Sequence, residues 1–87
     1  MASIKNLKQD INYVLGDIIE AALITQALSP EKTAESEKIV DDSIEVFDGL
    51  IARVNDRKVE NRKAHLTAVR SDLETQGKGL IDRVNAL

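Results

Sequence analysis

Residues 54–59 read Val54-Asn55-Asp56-Arg57-Lys58-Val59, and the fold turns on whether the chain reverses within them. Val54 ends one apolar series, through Val40, Ile44, Phe47, Leu50 and Ile51, and Val59 begins another, through Leu66, Val69, Leu73, Leu80, Val84 and Leu87. Each series is spaced mostly in threes and fours, as on one face of a helix. The two valines are five positions apart, about 500° around a helix and thus about 140° out of phase. One straight helix would therefore turn the second stripe away from the first. Asn55 and Asp56 suit a turn, although no glycine or proline compels a reversal. Two helices meeting near residues 55–58 account for the pattern. The alternative is a first helix packed on one long bent helix.

Upstream, Ile4, Leu7, Ile11, Val14, Leu15, Ile18, Ala21 and Ala22 fall mostly three or four apart. The chain's only proline follows in Ser29-Pro30-Glu31-Lys32-Thr33. Either Ser29 caps a helix that starts at Pro30, or the stretch is a short connection before Thr33 caps the next helix. The expectation is an all-α, antiparallel three-helix bundle forming one domain over 1–87. Its helices lie at approximately 3–28, 33–55 and 58–86. Gly16 is placed to permit close helix packing, and Gly77 with Gly79 to loosen or bend the third helix.

Composition narrows the field. With 43% apolar and 31% charged residues in 87, the profile is that of a small folded domain. The absence of cysteine removes disulfides, thiolate nucleophiles and iron–sulfur clusters. No apolar run approaches a membrane span, and the opening MASIKNLKQD lacks the apolar core of a signal peptide. A cytoplasmic protein without membrane insertion is expected. A core this small leaves room for association between chains as a supplement.

The net charge of -3 conceals a division. Residues 1–29 carry two Lys or Arg against three Asp or Glu, residues 30–56 three against eight, and residues 57–87 seven against four, giving -1, -5 and +3. An acidic second helix beside a basic third follows, though exposed pairs contribute only about 0 to 1 kcal/mol each. Arg57, Lys58, Arg62, Lys63 and Arg70 form a basic group that can alternatively contact an acidic partner. Nucleic acid is not the expected partner, because the chain is net acidic and has no recognisable reading motif. Within the same region, Gly49-Leu50-Ile51-Ala52-Arg53-Val54-Asn55 recurs as Gly79-Leu80-Ile81-Asp82-Arg83-Val84-Asn85, with Ile39/Val69 and Asp42/Asp72 also agreeing. In an antiparallel pair these similar helix endings lie at opposite ends of the bundle.

Chemistry-bearing residues are sparse. His65 is the single histidine and reads as a surface or boundary residue. Asp41, Asp42, Glu45 and Asp48 make an acidic helix face without the ligand loop that organises a hard cation. No serine sits in a nucleophile elbow, and the glycines form no phosphate loop. No cofactor and no metal are expected. Asp42-Ser43-Ile44-Glu45 resembles the Asp-Ser-Leu start of the recognition helix in acyl carrier proteins. That resemblance implies a small helical carrier modified with a phosphopantetheine arm at Ser43. Here the preceding Ser36-Glu37-Lys38-Ile39-Val40-Asp41 reads as helix, where the family has a loop.

The first helix is apolar on more than one side. Leu15, Ile19 and Leu23, joined from another angle by Ile24 and Leu28, supply a candidate interface for a homodimer or another protein partner. Tyr13 and Phe47 read as packing residues. The leading expectation for function is a non-enzymatic helical protein-interaction or structural module, with the carrier as its alternative.

Overall fold

The computed structural model describes residues 4–56 and 58–87. Three α-helices account for nearly all of them: α1 (Ile4–Leu28), α2 (Thr33–Asn55) and α3 (Arg62–Asn85), with a single 3-10 turn at Pro30–Lys32 between the first two. The bundle is elongated, 48 × 20 × 17 Å. Ser36 on α2 donates to Oε1 of Gln26 on α1 at 3.0 Å, which fixes these helices antiparallel. Arg83 reaches Asp42, and Arg53 reaches Asp72, so α2 and α3 also run antiparallel. Helices α1 and α3 are therefore parallel, and Arg70 joins Asp10 between their N-terminal halves.

The turns explain the helix boundaries. Pro30 removes an amide and opens the 3-10 turn, where Lys32 N–H donates to Ser29 O at 2.9 Å. Neither side chain expected to cap does so: Ser29 makes no cap bond, and Thr33 Oγ1 donates back to Pro30 O at 2.6 Å. After α2, Asp56 Oδ1 accepts from the Lys58 amide at 2.9 Å, a local turn that competes with helix continuation. Asn61 then caps α3, its Oδ1 accepting from Ala64 N–H at 3.0 Å. The third helix thus starts at Arg62, four residues later than the spacing suggested, and Val59 belongs to the connection. The chain reverses here, and the single bent helix does not form.

The core is one layer deep. Leu7, Ile11, Leu15, Ile18 and Ala22 of α1 meet Ile39, Leu50 and Val54 of α2 and Val69, Leu73 and Leu80 of α3. Full burial of one such aliphatic side chain stabilises by about 1.5–3 kcal/mol, so this seam is the main source of cohesion. Ser36 and Ser43 are buried beside it, and both satisfy their hydroxyls, Ser43 by donating to Ile39 O at 2.7 Å. Gly77 permits the close approach of α3 to α1, since a Cβ there would meet Val14 Cγ1 at 3.1 Å. Gly16, expected to serve that purpose, is exposed with open space where its Cβ would be. Helix α3 runs unbroken through Gly77 and Gly79.

The echo between the two helix endings becomes a local two-fold correspondence. A shift of thirty positions carries Ile39 onto Val69, Asp42 onto Asp72, Leu50 onto Leu80 and Arg53 onto Arg83. The apolar members of each pair are buried, and the charged members form the two α2–α3 ion pairs.

Candidate interaction surface

The five α1 residues expected at an interface separate onto different faces. Leu15 is 0% exposed and is part of the core, in one series with Leu7, Ile11, Ile18 and Ala22, so it offers no surface to a partner. Ile19 is half-buried, whereas Leu23, Ile24 and Leu28 are exposed, Leu28 at 80%. Consecutive helix positions differ by about 100°, so Leu23 and Ile24 look to opposite flanks. Leu23 continues from Ile19 on the side of α2, where Ile44, roughly two turns along from Ser36, is also exposed. Ile24 and Leu28 continue the side of Tyr13, three turns earlier, which lies toward α3.

That second side is a groove. Between α1 and α3 lies a cavity of about 390 Å³, open to solvent, with Val14, Leu73 and Gly77 in its floor and Tyr13 and Ile81 at its rim. It continues toward the C-terminus of α3 as a second hollow of about 260 Å³ beside Asp17, Ala21, Ile81 and Val84. The Arg70–Asp10 pair, at 3.0 Å, crosses its beginning. Its charged lining is divided: Asp10 and Asp17 belong to α1, whereas Arg70, Glu74 and Lys78 belong to α3. Tyr13, at 66% exposed, is a rim residue of this groove and not the packing residue expected. Phe47 does pack against the core.

The basic group does not present one face. Arg57 lies outside the described residues. Arg70 is committed to Asp10, whereas Lys58 is exposed in the connection, where only its backbone amide is held, by Asp56. Arg62 and Lys63 are exposed at the start of α3 and make no ion pair among the described residues. The helix-to-helix charge attraction is also only half as the composition suggested. Arg83–Asp42 joins basic α3 to acidic α2, whereas Arg53–Asp72 joins a cation of α2 to an acid of α3.

Most of the chemically capable side chains are engaged internally. His65 is half-buried, and its Nε2 lies 2.5 Å from Arg53 O at the end of α2. Ser43 is 0% exposed and its hydroxyl is bonded within its own helix, so this fold does not present it for attachment of an arm. Among the described residues no group of three His, Asp or Glu side chains converges to hold a metal ion. Helix α1 is, by length and composition alone, apolar enough to cross a membrane. In the bundle its most apolar stripe is the core seam, and Asp17 and Glu20 interrupt the remainder.

Sequence spacing missed the groove for an identifiable reason. Tyr13, Ile24 and Leu28 are separated by polar Asp17 and Glu20, so they do not read as a stripe until Ile81 of α3 is placed beside them. Gly77 carried no distinguishing signal in the sequence, because Gly16, Gly49 and Gly79 also lie inside continuous helices and have open space at their Cβ. Comparison with protein-family models, curated proteins and solved structures gives no match to this chain.

Proposed function

We propose that this protein is a non-enzymatic helical protein-interaction module, working in the cytoplasm, whose contact surface is the α1–α3 groove together with the end of α1. One observation carries the reading. Tyr13 and Ile81 rim the α1–α3 groove, and Ile24 and Leu28 follow Tyr13 on the same flank of α1, so four of the six large apolar residues exposed among the described residues gather on one side of the bundle. Exposed apolar side chains gathered beside an open groove, rimmed by charge, are what a helical partner recognises.

The engagement of His65, Ser43 and Ser36 in bonds within the bundle supports a binding role over a catalytic or carrier one. Placement in water agrees with Asp17, since an aspartate at the centre of a bilayer costs about 2.5–3.5 kcal/mol on insertion scales. The test is site-specific photo-crosslinking inside the cells that make the protein, with the crosslinker at Ile24 or Tyr13 and a control at exposed Lys38 on α2. Discrete products at Ile24 and Tyr13, absent at Lys38, are expected. Equal background at all three positions contradicts the reading.

A further inference from the structure

We infer that the end of the bundle where α2 passes to α3 is a contact for an anionic lipid surface, on which the protein stands with its long axis upright. The membrane is touched and not entered. The α1–α3 groove runs along the side of the upright bundle and stays open to its own partner.

The topology collects the charge. Because α2 runs antiparallel to α1 and α3, the N-termini of α1 and α3 and the C-terminus of α2 share one end. Lys5 and Lys8 of α1 therefore join Lys58, Arg62 and Lys63 there, and none of these five side chains is in an ion pair among the described residues. Lys8 is half-buried and the other four are exposed. Two further cations at this end are neutralised, Arg70 by Asp10 and Arg53 by Asp72. That leaves Asp56 and Glu60 as the two acids opposing the five cations. Over the rest of the described residues, with Arg83–Asp42 set aside as a pair, three cations face ten acids. A chain with a net charge of -3 thus has one cationic end.

Distance sets the orientation. Of those ten acids, the nearest to the cationic end is Asp48, seven residues or about 10 Å before the end of α2. Glu74 and Asp17 lie about 18 and 20 Å along their helices from the same end. Salt at physiological strength screens exposed charges beyond about 8 Å. Standing upright, the bundle brings its cations to an anionic surface and keeps all ten acids beyond that length. Lying on its side, it would press some of them against the surface.

The size of the end selects a lipid surface over a protein or a nucleic acid. Its cross-section is 20 × 17 Å, well short of the roughly 800 Å² per partner of a standard protein interface. It is also below the roughly 600–1,000 Å² that a single nucleic-acid-binding module buries. An anionic lipid surface asks for charge and little area, because each Lys or Arg held near it raises affinity about fivefold.

Co-sedimentation of the full chain with vesicles tests the inference, using phosphatidylcholine alone and phosphatidylcholine mixed with phosphatidylserine, each at low and high salt. The protein is expected to pellet with the mixed vesicles at low salt, to be released at high salt, and to stay in solution with phosphatidylcholine alone. Arg62→Glu/Lys63→Glu should weaken binding more than about tenfold, and Lys5→Glu, on another helix, about fivefold or more. Lys38→Glu/Lys78→Glu makes the same change of charge at exposed positions far from this end and should weaken binding less than about threefold. Equal pelleting with neutral vesicles, or equal losses in the two double variants, overturns the inference. Failure to bind the mixed vesicles also overturns it, and binding of polyglutamate or single-stranded RNA in their place assigns this end to a protein or a nucleic acid instead.

Discussion

Arg83 holds Asp42 across the α2–α3 seam at 2.8 Å, and Arg53, thirty positions earlier in the chain, holds Asp72, thirty positions after Asp42. The pairs are the same contact made in opposite directions. They set the antiparallel register at two points about 16 Å apart along each helix, which leaves little room for a slip of one turn.

These pairs steer more than they stabilise. All four side chains are more than a third exposed, so solvent screening limits each pair to about 0.2–1 kcal/mol. Asp42→Ala and Asp72→Ala should each lower stability in urea by no more than that, and the double variant should be additive. A loss above about 2 kcal/mol from either would show that the pair does more than set register.

The glycines should separate by position. Gly16 is exposed inside α1 with open space at its Cβ, so Gly16→Ala should stabilise by about 0.5–1 kcal/mol through helix propensity alone. Gly77→Leu forces a side chain against Val14 and should destabilise by about 1–3 kcal/mol. Thermal unfolding of the two variants checks both signs.

A second contrast divides α1 between core and surface. Leu15→Ala should cost about 2–5 kcal/mol, as for a buried leucine. Leu28→Ala should change the stability of the monomer by no more than about 0.5 kcal/mol. Chemical denaturation at low protein concentration distinguishes them, and comparable losses would contradict the placement of Leu28.

The break before α3 depends on a single cap. Asn61→Ala removes the acceptor for Ala64 N–H and should cost about 1 kcal/mol. Amide exchange should accelerate first in the opening turn of α3. Unchanged protection there would mean that packing, and not Asn61, fixes the start of the helix.

Much of this architecture is legible in the sequence because apolar spacing and helix phase are local properties. The phase change pointed to a reversal, although Val59, read as the start of the third stripe, lies in the connection, and the -5 and +3 segments did become neighbours. What spacing concealed were relations across helices. Leu15 and Ile19 look equivalent on one helix until α2 and α3 claim Leu15. Asn61 looked like one more helix-compatible residue until the Asp56 turn displaced the start of α3. Glycine roles were likewise interchanged, because only the neighbour's position tells Gly16 from Gly77. Tyr13 and Ile81, which carry the candidate surface, are 68 positions apart and become one feature only when α1 and α3 lie parallel.

The most direct test of the central claim, that the α1–α3 groove with the end of α1 is the contact surface, is site-specific photo-crosslinking in the cells that make the protein. Discrete products are expected with the crosslinker at Tyr13 or Ile81, on the groove rim, and none at exposed Lys38 of α2. Equal products at all three positions, or products confined to Lys38, would contradict it.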